Sequence, residues 1–225
     1  LERLSRLKSQ FIALASHELR APAAVIHGVA KTVVAQAEQI EPAQLTALHD
    51  TLVQHTERLA RLIDELLDLS RLEAKAIAIE RRPLPVRERI TELVRSVAGE
   101  RTDEIAVDVP GDLQPSVDAA AFDRIVGNLV TNALRYGRTP ISIRAAQNDR
   151  HFRLSVEDHG DGVAPGFVPR LFDRFTRDGA GGTPASGSGL GLAIAQAYAQ
   201  AHGGQLFYED ATPHGARFQL VLPAR

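Results

Sequence analysis

His17 is followed directly by Glu18, inside a stretch whose apolar residues recur at helical spacing from Leu4 onward. An imidazole nitrogen is a competent nucleophile near neutral pH. A carboxylate beside the ring can hold the proton on the other nitrogen, fixing the tautomer and stabilising the positive charge that develops. Pro22 removes one helical hydrogen bond and crowds the carbonyl of Glu18, so the backbone next to this pair is a natural place for the helix to yield. Of the other histidines, His55 falls on an apolar seam and reads as a buried or register-setting polar residue, and His202 precedes Gly203-Gly204 and ends a helix.

The C-terminal half carries a second chemistry. Asp158-His159-Gly160-Asp161-Gly162 follows a predicted strand, where a carboxylate can accept a hydrogen bond from an exocyclic amine and glycines let backbone approach a flat ring. Gly187-Ser188-Gly189-Leu190-Gly191 runs into a predicted helix whose free amides and dipole favour anions. It is not a P-loop, since no Lys-Ser/Thr follows, and it is no Rossmann fingerprint. Asn128 and Asn132 are four apart and share a helical face, with Arg135 one turn further. Two amide oxygens and a guanidinium on one face suit a hydrated magnesium ion on a polyphosphate. Each box alone also describes an ordinary turn or a solvated helix face. Their order, on these elements, points to a bound nucleotide.

Two different scaffolds must carry these groups. Up to residue 74 glycine is almost absent, and Leu45, Leu48, Leu52, His55, Leu59, Leu62, Leu66 and Leu69 alternate by three and four, a heptad seam with one polar break. Leu4, Leu7, Phe11 and Leu14 begin a matching seam that weakens at Glu18 and Ala21 and resumes at Val25. Ile40-Glu41-Pro42 marks the break between two helices, each about 45 Å long. Ile63 and Leu67 widen the second helix's apolar face. A hairpin cannot bury both stripes, so the pattern predicts a homodimer closing a four-helix bundle. Residues 75–85, with Pro83 and Pro85, read as a linker. Beyond it the spacing predicts helices over 86–98, 119–136 and 190–202. Strands are expected near 104–109, 115–117, 140–147, 151–157, 205–209 and 215–222, with a glycine-rich loop region between 159 and 188. The fold class is therefore α+β: a helical hairpin (1–74), a linker (75–85) and a two-layer α/β sandwich (86–225).

Composition narrows the partners. The chain has 225 residues, 44% hydrophobic and 24% charged, which is ordinary for a globular protein with one large or two modest domains. A net charge of −2 and the lack of a long basic run argue against nucleic acid. With no cysteine there is no disulfide, thiol nucleophile or thiolate metal site. No apolar run is long enough to cross a bilayer. The absence of methionine suggests a piece of a longer protein, with a sensor or membrane segment upstream and this portion cytoplasmic.

With these motifs in place, the chain resembles the catalytic core of sensor histidine kinases, over nearly its whole length. Residues 10–27 are similar to that family's histidine box, Asn128 to Tyr136 to its asparagine box, and Asp158 to Gly162 to its first glycine box. Leu171 to Phe175 resembles the phenylalanine box, and Gly187 to Leu192 the second glycine box. The resemblance implies an ATPase domain of the gyrase and MutL type. It also implies ATP-dependent autophosphorylation of His17 with Glu18 as its acid–base partner, and transfer to an aspartate of a response-regulator receiver domain. Asp158 would hold the adenine amine, with Gly160 and Gly162 close to the ring. Asn128 and, more strongly, Asn132 would hold Mg2+. Arg135 would meet phosphate, Tyr136 would pack by the sugar or base, and Arg177 would reach the γ-phosphate. Gly187, Gly189, Leu190 and Gly191 would cradle the phosphates beneath a lid.

Two rival readings are a gyrase-type ATPase and a degenerate, non-enzymatic signalling scaffold. Enzymes of the first kind place a glutamate where Asn128 stands, to activate water, and asparagine is a poor base. Intact His17, Glu18, both asparagines and Asp158 speak against the second. One departure remains: many members of the family carry threonine or asparagine four residues after the histidine to orient water for regulator dephosphorylation, and here that position is Ala21. Weak or absent phosphatase activity is expected, and Ala21→Thr should raise the rate at which labelled phosphate leaves the regulator; equal rates in the two proteins would refute this.

Overall fold

The computed structural model describes residues 2–36, 39–73, 77–176 and 188–224, with the side chains of residues 2–17 and 73 outside the description. The chain divides into two compact units, Leu1–Ser70 and Arg71–Arg225.

The first unit is built from α1 (Glu2–Ala35) and α2 (Pro42–Glu73). α1 continues through Pro22, whose ring is buried. α2 begins on Pro42, where the missing N–H costs nothing because first-turn amides have no helical partner. The seam of α2 turns inward unevenly. Leu62 and Leu69 are buried, Leu48, Leu52, His55, Leu59 and Leu66 are half-buried, and Leu45 is exposed. A second apolar set stays open in the single chain: Val34 is 82% exposed, Ile63 45% and Leu67 52%.

In the second unit the expected helices and strands occur within a residue of their anticipated ends. They are β1 (Arg82–Pro83), α3 (Val86–Ala98), β2 (Ile105–Asp108), β3 (Ser116–Val117), α4 (Ala119–Tyr136), β4 (Ile141–Gln147), β5 (His151–Glu157), α5 (Gly191–Ala201), β6 (Gln205–Asp210) and β7 (Ala216–Pro223). Three features were not anticipated, one of them a short 3-10 helix at Val168–Arg170. Gly99–Glu104 is another 3-10 helix, and the end of the stretch read as linker supplies β1, which pairs antiparallel with β3.

The main sheet has five strands in the order β2-β4-β5-β7-β6, with only β2 and β4 parallel. Period-two alternation gives it one apolar and one polar face. Ile141, Ile143, Phe152, Leu154, Val156, Leu206, Phe218, Leu220 and Leu222 are buried. They form a layer with α4, which buries Phe122, Ile125, Val126, Leu129 and Val130, and with α5, which buries Ile194, Ala195 and Tyr198. The Phe122 and Phe152 rings meet at a centroid distance of 6.3 Å. Each such side chain contributes about 1.5–3 kcal/mol through removal from water. The opposite face is a row of alternating charges, in which Arg217 Nε donates to buried Glu157 at 2.7 Å and Arg144 lies 3.8 Å from the same carboxylate. One sheet face is thus covered by helices and the other is left to water, which is the two-layer α/β sandwich expected.

The far ends of α4 and α5 are tied together. Asp118 caps α4, its Oδ1 accepting from the Ala121 amide at 2.9 Å, and its Oδ2 accepts from the Glu80 amide at 2.9 Å. The Asp118 amide donates at 3.1 Å to Nε2 of His202, just past the end of α5. Nδ1 of His202 lies 2.9 Å from the Tyr198 carbonyl, and Arg81 donates to the His202 carbonyl. This pattern requires the neutral tautomer with its proton on Nδ1. His202 is 1% exposed, and burial holds its pKa below the ordinary histidine value, helped by the Arg81 charge and opposed by the Tyr198 hydrogen bond and the Asp118 carboxylate.

A depressed imidazole pKa means stability that is complete above the unfolded value of about 6.5 and is lost as pH falls through the folded value. The melting temperature should therefore drop on acidification below about pH 6.5, by roughly 2–4 °C per kcal/mol lost. His202→Gln should show a smaller drop over that interval in calorimetry, and parallel curves for the two proteins would disprove the assignment.

Candidate active site

The boxes of the second unit converge at the ends of α4, β5 and α5. Asp158 leaves β5 and is 5% exposed. Its Oδ1 accepts from the Gly160 amide at 2.8 Å and from the Ala216 amide at 3.4 Å, while Oδ2 accepts no hydrogen bond from the described residues. Burial pushes this carboxyl up from the ordinary aspartate value, and the two amides work in the opposite direction. A fixed carboxylate with one satisfied oxygen is a directional acceptor for an amine. Its setting depends on Gly215, where φ is 119° and a Cβ would lie 1.9 Å from the Asp158 carbonyl oxygen. Gly162 continues the turn, and the Val163 amide donates to the Tyr208 hydroxyl oxygen at 3.0 Å.

On α4 the Asn128 amide nitrogen donates to the Arg124 carbonyl at 2.8 Å. That bond fixes which way the side chain points, and Oδ1 faces the start of α5, 2.6 Å from where a Cβ on Gly191 would stand. Asn132 is half-buried one turn on, and its side chain makes no hydrogen bond with the described residues. No side chain caps α5, so its first-turn amides keep their capacity to bind an anion. Ser188 Oγ accepts from the Leu190 amide at 3.2 Å, and the Leu190 side chain is buried, so these two residues anchor the loop that enters α5. Arg135 and Tyr136 are exposed, with the guanidinium 5.9 Å from the centroid of the ring. Among the described residues no three His, Cys, Asp or Glu side chains cluster as a metal site. A magnesium ion would therefore rely on the asparagine oxygens and the phosphates themselves, and the two side-chain oxygens fit that role.

Phe175 closes the phenylalanine box in left-handed backbone, φ 63°, and its amide donates to the Gly189 carbonyl at 2.9 Å. The two ends of the glycine-rich segment are joined there. Arg177 and Gly187 lie outside the described residues.

In the first unit His17 belongs to α1, with its side chain outside the description. Glu18 is described, and its Oε2 accepts from Nη2 of Arg58 on α2 at 3.3 Å. Ala21 is exposed. Sequence reasoning missed Arg58, whose one signal was a cation flanking the leucine seam three residues after His55. It also missed Asp118, for which Asp-Ala-Ala-Ala ahead of an apolar run was a legible capping signal, and Tyr208, which gave none.

Two family descriptions match the chain. The His Kinase A (phospho-acceptor) domain matches residues 7–75, and the histidine kinase-, DNA gyrase B- and HSP90-like ATPase matches residues 117–225. The signal transduction histidine-protein kinase AfsQ2 of Streptomyces coelicolor is 30% identical over 95% of this chain and 41% of its own length. The solved mycobacterial sensor histidine kinase MprB is 32% identical over 64% of this chain and 97% of its own, with a TM-score of 0.54. The histidine kinase ThkA, solved in complex with the response regulator protein TrrA, shares the fold with a TM-score of 0.67 and 22% identity, covering 100% of this chain and 64% of its own. The chain spans 41% of AfsQ2 and 25% of the sensor protein KdpD of Clostridium acetobutylicum, so these relatives extend well beyond it.

Gly191→Ala places a methyl group against Asn128 Oδ1 at a position where alanine is otherwise welcome in a helix. Affinity for a fluorescent ATP analogue should fall about tenfold or more, some 1.4 kcal/mol, while the melting temperature moves by less than about 3 °C. Unchanged affinity would separate this contact from the site.

Proposed function

The chain belongs to the sensor histidine kinase family, and on that basis we propose that it phosphorylates itself on His17 from ATP and passes the phosphoryl group to an aspartate of a response regulator. The observation that carries this reading is the orientation of Asn128. Its nitrogen is committed to a backbone carbonyl, and its oxygen faces the uncapped start of α5. An amide oxygen can ligate a cation but cannot take a proton from water at neutral pH. The site is thus suited to holding a nucleotide for an outside nucleophile and poorly suited to hydrolysis, which disfavours the gyrase-type ATPase.

In the proposed reaction a neutral imidazole nitrogen of His17 attacks the γ-phosphorus. The N–P bond forms as the bond to the β,γ-bridging oxygen breaks, and ADP leaves with that electron pair. The proton on the other ring nitrogen is held by Glu18, which stabilises the imidazolium. Asp158 orients adenine through its exocyclic amine, and the α5 amides with Arg135 meet phosphate. Asn132 and Asn128 hold magnesium, which when bound neutralises charge on the phosphate oxygens. Arg177 and the stretch from Gly187 to Gly191 form the proposed γ-phosphate contact and cradle. In the second step the N–P bond breaks as the regulator's carboxylate oxygen takes the phosphoryl group.

The exposed apolar side chains of the two helices, Val34, Leu45, Val53, Ile63 and Leu67, belong to the surface we assign to a second copy, completing a four-helix bundle around the paired seams. We read residues 1–74 as the dimerisation and phosphotransfer domain, 75–85 as linker and 86–225 as the catalytic domain. We further read the chain as the cytoplasmic portion of a longer sensor protein, in keeping with relatives more than twice its length. Among the described residues no helix is long and apolar enough to cross a membrane.

Incubation with γ-labelled ATP and magnesium tests the reading. The protein should acquire an acid-labile, alkali-stable phosphoryl group that His17→Gln abolishes. Free phosphate with no labelled protein would establish the ATPase instead.

A further inference from the structure

We propose that Arg58 is the positioning residue for the Glu18 carboxylate, a role that rests on His17 being the phosphoacceptor. Glu18 lies 17 residues before the end of α1 and Arg58 lies 16 residues after the start of α2, so the two stand about 25 Å from the connection between the helices on matching levels. Their side chains meet at 3.3 Å, with Glu18 only 14% and Arg58 35% exposed.

The heptad pattern explains why this partner matters. Glu18 occupies a seam position of α1, where the repeat calls for an apolar residue. A seam side chain points at the facing helix, and consecutive residues on a helix diverge by about 100°, so adjacency in sequence does not aim Glu18 at the imidazole of His17. A carboxylate with so little exposure must be compensated, and the charged guanidinium supplies that. The same bond limits where the carboxylate can stand beside the ring. Removing it takes away one of the interactions that hold the carboxylate towards α2, and its grip on the imidazole's proton weakens.

The test uses the whole chain as a dimer, with label incorporation measured against ATP concentration. Arg58→Gln should lower the maximal rate about tenfold or more while leaving the KM for ATP within about twofold, and Arg58→Lys should restore most of the rate. In a Glu18→Gln background, adding Arg58→Gln should cost less than about twofold further, because a positioning residue has nothing left to position. Losses that multiply in the double variant, or a rate that rises on removing Arg58, would overturn the inference. If Arg58→Gln does not fold, Arg58→Ala with added guanidinium ion decides the matter, since recovered rate supports the role and none refutes it. His17→Gln stands apart as a control. Label surviving that change defeats the kinase reading itself, whereas a silent Arg58 defeats only its assignment.

Discussion

The hydrogen bond from the Asp118 amide to His202 sets the alignment on which the nucleotide site depends. It joins the start of α4 to the end of α5 and so fixes the helices antiparallel. Asn128 lies ten residues into the chain from Asp118, and Gly191 lies eleven residues back from His202. At about 1.5 Å per residue the two distances match, and the Asn128 oxygen arrives at the first residue of α5. The contact that carries the chemistry is thus set from the opposite ends of the helices. Asp118 also holds the Glu80 amide, so the strand entering the domain is secured at the same point. A neutral, doubly bonded histidine suits this task, since a charged one could not accept from the Asp118 amide.

Much of this architecture was legible beforehand. The helices at 86–98 and 119–136 and the strands at 151–157 and 205–209 follow from periodicity and turn residues, because each element's buried face is written locally. The motifs around Asp158 and Gly189 were legible for a related reason: a residue type at a fixed distance from an element end has a defined place. What periodicity could not supply was pairing between distant segments. The parallel partnership of β2 and β4, the short β1–β3 ladder and the alignment of Arg58 with Glu18 all depend on which surfaces meet in three dimensions. Arg58 in particular looked like one more solvated cation on a leucine-rich helix.

Asp158 and Glu157 show how neighbours in one strand end can be put to different uses. Glu157 points to the polar face of the sheet, where Arg217 and Arg144 neutralise it, and it fastens β5 to β7 and β4. Asp158 has no cationic side chain bonded to it among the described residues and is held only by backbone amides. Paired with two arginines, Glu157 serves to fasten strands. A carboxylate held by amides keeps its direction and retains an oxygen to offer.

The bond between the Phe175 amide and the Gly189 carbonyl fastens two positions fourteen residues apart in the chain, so the stretch connecting them is a ring closed at one point. Lengthening such a ring costs only about 0.6 kcal/mol for each doubling, and no strand register or helix phase has to move. The length of that connection can therefore change between related proteins while the bond that closes it, and the start of α5 beyond it, stay in place.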